Sequence, residues 1–270
     1  MRDHRDGSDS PADPDPVARS NAEWCAAPGA PTVLVRRHHD VRAADGARLQ
    51  PGRVHVAVPD RHLLLDEGDV LRLSDGPKQN RVRPAVDALF RSAARWCGPR
   101  VIGVVLSGSL DDGSAGLAAI AAEGGTALVQ DPAEARFPGM PTAALRVVPH
   151  ATAATAAGLG ETIAETAGKP ITAEGRPPDP LIWETDMIAY GTSRVPDRGE
   201  PVAMGCPECR GGMYLVRTGL AAHYVCHVGH SYSPQSLLAI RSDNVEEAIW
   251  TAVSALQEHM TRSATAPAQR

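Results

Sequence analysis

Aromatic residues are scarce in this chain: two phenylalanines, four tyrosines and four tryptophans, 4% of 270 residues. The core must therefore be filled by Val, Leu, Ile and Ala, which the 43% apolar content supplies. An excess of one charge sign is lacking too. With 27 Lys and Arg against 32 Asp and Glu, the formal net charge is −5. That is too mild and too mixed for an electrostatic footprint on nucleic acid or on a charged membrane. No run approaches the ~18 consecutive apolar residues of a transmembrane helix, so direct membrane insertion is not expected. The opening stretch MRDHRDGSDSPADPDPVARSN has no apolar core of the kind a signal peptide needs. A cytoplasmic protein is the resulting expectation. Cysteine is limited to five residues. Cys25 and Cys97 stand alone while Cys206, Cys209 and Cys226 cluster, the distribution of a metal site rather than a disulfide framework.

What is present divides the chain into five stretches. Residues 1–30, rich in Asp, Pro, Ser and Ala, read as a disordered leader. From Pro31 the pattern turns regular. TVLV and VHVAVP (Val54–Pro59) read as strands, and HLLLDEGDVLRL (His62–Leu73) as a β-hairpin around a D-E-G-D turn. PAVDALFRSAARW has helical spacing with Pro84 near its start. VIGVVLSG (Val101–Gly108) is the continuous apolar run of a strand buried on both faces. SAGLAAIAAEGG is a helix closed by Gly124 and Gly125, TALVQ a strand, MPTAALRVV a short helix and ATAATAAGLGETIAETAG a final helix. Alternation of this kind over residues 31–168 gives an α/β domain with a mostly parallel sheet and a hairpin insertion. Residues 169–202 read as a Pro-rich linker with a short strand at LIWETDMIAYGT, residues 203–232 as a second small unit, and residues 233–262 as an amphipathic helical segment with Val245, Ile249, Val253 and Leu256 on one stripe.

The small unit, CPECRGGMYLVRTGLAAHYVCHVGH, spaces its ligand-type residues as Cys206-x2-Cys209, sixteen residues, then Cys226-x3-His230. Two knuckles of this kind bring thiolates and an imidazole to tetrahedral angles around Zn²⁺. Gly211, Gly212 and Gly229 ease the turns, and His227 is a rival fourth ligand. Four protein ligands leave no open position, so the expected zinc is structural, a staple for a unit too poor in large apolar residues to fold alone.

GVVLSGSLDDGSAG ends an apolar strand on Asp111 and Asp112. Two like charges at a strand tip are costly unless a positive group or hydrogen-bond donors face them. Asp112 can cap the helix that follows, and Asp111 can cap it or face solvent. The stretches LQPGRVHVAVPDRHLLL, RPAVDALFRSAA, GVVLSGSLDDGSAGLAAIAAEGG and VQDPAEARFPGMPTAAL occur in consistent order over Leu49–Val148. Together they resemble the catalytic domain of the chemotaxis protein-glutamate methylesterases (CheB-type). The tail, with its cysteine cluster and following helix, is similar to a C-terminal extension found on some members.

The resemblance implies a doubly wound α/β fold and hydrolysis of γ-glutamyl methyl esters on chemoreceptors during chemotaxis adaptation. Methylated chemoreceptor-type proteins are the implied partners, with no cofactor for catalysis. It implies a Ser-His-Asp triad in which Asp112 of the Gly108–Gly113 turn is the acid facing a histidine, His38 or His39 is the base, and Gly139, Met140 and Pro141 line the substrate cleft. The chain departs from that pattern. It holds no Gly-x-Ser-x-Gly-Gly; upstream lie only Ser8, Ser10 and Ser20, none on a strand-to-helix turn with glycines. Ser107 and Ser109, near Asp112, do not sit on such a turn either. The expectation is an N-terminally truncated member, lacking the first βα unit and impaired in turnover, unless the missing strand and serine turn are encoded upstream. The alternative is a non-catalytic binding or regulatory module with a structural zinc site.

Overall fold

The computed structural model describes residues 39–171, 179–191, 199–218 and 221–265. The expected strand TVLV lies outside these residues. β1 (His39–Arg42) pairs in parallel with β2 (Arg53–Val56). β3 (His62–Asp66) and β4 (Val70–Ser74) form the antiparallel hairpin, in the register Leu63↔Leu73 and Leu65↔Leu71. Gly68 and Asp69 turn the chain between them with positive φ, 73° and 58°.

The central sheet is β5 (Ile102–Val105), β6 (Thr126–Gln130) and β7 (Thr152–Ala154), parallel and in that spatial order. Strand alternation divides its side chains between two layers. Val101, Val105, Ala127 and Val129 join a core with α1 (Val86–Cys97), α2 (Ser114–Ala122) and α3 (Gly139–Val147). Ile102, Val104 and Leu128 point the other way, onto Leu159 and Ile163 of α4 (Ala156–Thr166). Helices on both faces explain why the β5 sequence is apolar at every position. α1 and α2 cross closely at Gly116, where a methyl group would lie 2.5 Å from Phe90 Cβ.

Two expectations are corrected. Residues 151–168 are not one helix: Thr152–Ala154 pair with β6 before α4 begins. The segment read as a linker strand is a helix, α5 (Asp179–Tyr190), whose Leu181, Trp183, Glu184, Thr185, Met187 and Ile188 are buried. Glu184 is the reason. Its carboxylate lies 3.1 Å from Arg91 Nε of α1, both side chains at most 4% exposed. A buried ion pair replaces part of the apolar stripe that would have announced a helix.

The small unit is a four-stranded antiparallel sheet, β8 (Glu200–Gly205), β9 (Gly212–Thr218), β10 (Ala221–Cys226) and β11 (Ser231–Tyr232). It is followed by α6 (Pro234–Thr265), whose Leu237 and Ile240 pack on Cys206, Met213, Cys226 and Tyr232. It docks on the α/β part rather than standing apart from it. His223 Nε2 of β10 lies 3.4 Å from Glu184 Oε1. Burial pushes the His223 pKa down to about 4, so the neutral ring donates this N–H. Gln79 Nε2 donates to the Gly229 carbonyl (3.3 Å), and Asn80 N donates to the Ser231 carbonyl (2.7 Å). Among the described residues, no helix is long and apolar enough to cross a membrane.

Candidate functional site

The Asp111–Asp112 pair finds its counter-charge in helix N-termini. A helix starts with backbone N–H groups that have no partner inside the helix, and their summed dipole favours negative charge. Residue Ala85, before α1, has no capping side chain. Asp112 supplies what is missing: Oδ2 accepts from Val86 N (2.8 Å) and Oδ1 from Asp87 N (3.1 Å) and from its own neighbour Gly113 N (3.0 Å). Asp87 returns the service to α2, its Oδ1 accepting from Gly116 N at 2.7 Å. Two helices thus begin side by side, each capped by an aspartate of the other segment. Gly113 permits this, with φ 87° and Val86 packed against the place a side chain would fill.

Asp111 faces a third helix start. It is 5% exposed, not solvent-facing as one sequence reading had it, nor a cap of α2. Its Oδ1 accepts from Ser236 Oγ at 2.6 Å and its Oδ2 from Ser233 Oγ. Ser233 caps α6 from the front: its Oγ accepts from Ser236 N (2.9 Å), and its own N–H goes to Asn80 Oδ1 (2.9 Å). Asn80 Nδ2 in turn reaches Asp87 Oδ2 (3.4 Å). Three helix starts therefore converge on three aspartates.

Burial and the adjacent Asp87 charge push the Asp112 pKa up to about 7, against the pull of its three amide donors. Burial also raises Asp87, with Arg91 opposing. His62 completes the cluster and was missed by sequence reasoning. Its fully buried ring accepts from Ala85 N at Nδ1 (3.3 Å) and donates from Nε2 to the Pro77 carbonyl (3.1 Å). Burial lowers its pKa to about 4, so it is a neutral brace for the start of α1. Among the described residues no imidazole bonds to Asp112. His38 lies outside them. His39 opens β1 in its backbone trace, and its side chain is outside the described set.

The Gly139–Pro141 turn meets the aspartate turn directly. Gly108 N donates to the Phe137 carbonyl and Met140 N to the Gly108 carbonyl, both at 2.9 Å. Ser107 Oγ accepts from Phe137 N (2.9 Å), which engages that hydroxyl in holding the loop. Met140 and Pro141 are buried beneath. The rim carries exposed apolar groups that the sequence did not single out: Leu110, held at φ 61°, and Phe137, with the Arg136 guanidinium 5.5 Å from its ring. Ser109 is exposed, and Ser114 Oγ is buried without a partner among the described residues.

The small unit gathers Cys206, Cys209, Cys226 and His230, whose ligand atoms all lie within 4.8 Å of one another. A tetrahedral Zn²⁺ at ~2.3 Å from sulfur and ~2.05 Å from nitrogen sets edges of about 3.8 Å between sulfurs and about 3.6 Å from sulfur to nitrogen. The edges here are 3.6 Å for Cys209–Cys226, and 3.5 and 3.7 Å from His230 Nδ1 to Cys226 and Cys206. His230 Nε2 lies 3.3 Å from Glu208, where an outer partner would orient the imidazole if it held a metal. His227 sits outside the group, exposed, its ring against the face of Gly211 where no Cβ would fit.

Comparison with known proteins places the aspartate turn in a family. The family model for CheB methylesterase matches residues 35–163. Over 142 residues the chain is 38% identical to protein-glutamate methylesterase/protein-glutamine glutaminase 4 of Anaeromyxobacter dehalogenans, covering 44% of this chain and 40% of that protein. Over 108 residues it is 39% identical to the protein-glutamate methylesterase/protein-glutamine glutaminase of Escherichia coli, covering 39% and 31%. The crystal structure of the Thermotoga maritima CheB methylesterase catalytic domain matches at 31% identity and a TM-score of 0.45, over 46% of this chain and 67% of that one. The chain thus spans at most two fifths of the length of these two curated relatives. Residues 35–163 belong to the CheB methylesterase family.

Proposed function

We propose that the chain engages methyl-esterified glutamyl side chains of chemoreceptor-type proteins, and that these 270 residues do not by themselves hydrolyse them. The observation that carries the reading is the aspartate turn laced to the Phe137–Met140 loop by three hydrogen bonds, with Leu110 and Phe137 exposed on its rim. An apolar lip of that kind suits a neutral methyl ester better than the carboxylate left after hydrolysis. In a complete triad, Asp112 would accept an imidazole N–H and stabilise the imidazolium. The sequence holds no serine on a Gly-x-Ser-x-Gly-Gly turn, so the proton-transfer pair has no nucleophile to activate. The test is binding. A receptor peptide carrying a glutamyl methyl ester should bind at least about tenfold tighter than the same peptide with free glutamate, and Leu110→Asp should remove the preference. Equal affinity for the two peptides would sink the reading.

The second reading, a non-catalytic module built around structural zinc, is favoured by one observation: α6 of the small unit seats its first turn on Asp111, beside the acid. In either case Cys206, Cys209, Cys226 and His230 would hold one Zn²⁺, which supplies folding free energy and no open coordination position. A cytoplasmic location accompanies both readings, since a receptor's methylated glutamates and a set of reduced thiols belong on that side.

A further inference from the structure

Beyond the junction with the small unit, no other described element packs on the apolar face of α6. From Ser242 to Thr261 every residue is exposed except Val253, which is half-buried. In proteins most of a helix's stability comes from packing an apolar face rather than from propensity alone. Its apolar residues are not scattered. Leu238, Val245, Ile249, Ala252, Val253, Leu256 and Met260 fall within a stripe about 100° wide, at the spacing of an apolar seam. Asp243, Glu247 and Glu258 lie on the opposite face. The stripe is bare: Ile249 is 57% exposed, Leu256 64% and Met260 70%.

We propose that this stripe is the seam of a parallel two-chain coiled coil formed with a second copy of the protein. Three features choose that occupant. The exposed apolar side chains amount to on the order of 700 Å² per chain, close to what one partner gives a standard interface. The acidic residues occupy outward positions, so two copies meet without like charges in the seam. Arg241 and Glu246 flank the stripe on opposite sides, five residues apart. That is the spacing at which a flanking charge of one helix meets the opposite charge of the other in a parallel pair. Within its own chain the Arg241 guanidinium also donates from one terminal nitrogen to the Gly205 carbonyl (3.0 Å).

The test uses the full, zinc-loaded chain in sedimentation velocity from about 1 to 100 μM. The expected mass is twice 28.4 kDa. Ile249→Asp and Leu256→Asp should each raise the dimer dissociation constant at least about 100-fold, with zinc content unchanged as the check on folding. Glu247→Lys, on the opposite face, should leave the dimer intact. Arg241→Glu should weaken it, and Arg241→Glu with Glu246→Arg should restore it. A monomer throughout, an assembly of any other number, or a dimer indifferent to the two Asp variants would overturn the proposal. Failure of the charge swap to rescue would overturn the parallel order.

Discussion

Removing the Ser236 hydroxyl tests whether the small unit is truly seated on the aspartate turn. Ser236 is 1% exposed and gives its proton to Asp111 Oδ1 at 2.6 Å; Ser233 serves the other oxygen. A hydroxyl-to-carboxylate bond of that length is charge-assisted, and removing one donor from a buried carboxylate costs about 2 kcal/mol. Ser236→Ala should therefore lower the free energy of unfolding in urea by about 2 kcal/mol. Asp111→Ala should cost more, because it leaves both hydroxyls without their acceptor. The cycle between the two should show a coupling of about 1–2 kcal/mol. Amide exchange should accelerate over Ser231–Leu237 in either variant, since their backbone bonds to residues 78–80 depend on the same seat. A coupling below about 0.3 kcal/mol would refute the reasoning and mean that α6 begins free of the aspartate turn.

Other outcomes follow from the same contacts. The isolated chain should carry one zinc, measured by elemental analysis; His230→Ala should release it, His227→Ala should not, and Glu208→Gln should weaken binding about 10–100-fold. Loss of zinc should lower the melting temperature of the whole body, not of residues 203–232 alone, because Arg91, Glu184 and His223 tie β10 to α5 and α1. Glu184→Gln should cost about 3–5 kcal/mol by stranding Arg91, whereas Arg91→Met together with Glu184→Met should cost much less, as read by urea unfolding. Asp112 has a folded pKa raised above its unfolded value, so its contribution is fully present below pH ~4 and is lost as pH rises through about 7. The stability gap between wild type and Asp112→Asn should therefore be widest near pH 4 and narrow toward pH 8; a gap that widens with pH would contradict this.

Sequence alone reached the elements whose signal is local. The hairpin showed in Leu63–Leu65 and Val70–Leu73 around a turn with Gly68, and β5 in an unbroken apolar run. What it missed depends on distant partners. α5 hides its helical face because Glu184, one of its most buried residues, is charged and answered by Arg91 far along the chain. β7 is three residues of Thr and Ala, made a strand only by pairing with Leu128–Gln130. As a cap, Asp112 was assigned to the helix that follows; it caps the helix before it, reached through space. Asp111 looked like a surface residue because its donors sit 122 and 125 residues away. The clustering of Cys206, Cys209 and Cys226 was legible because their spacing is itself the constraint, and it is the direction of the β10–β11 turn that brings His230 rather than His227 to them.

The central proposal is that Asp112 matches the acid of a glutamyl methylesterase triad while the sequence has no serine on a Gly-x-Ser-x-Gly-Gly turn to serve it. Methanol release from a receptor peptide bearing glutamyl methyl esters, measured with the full zinc-loaded chain, tests that most directly. No release above the buffer rate is expected, and no labelling of any serine by an active-site phosphonate. Turnover abolished by Asp112→Asn, or stoichiometric labelling at one serine, would contradict it.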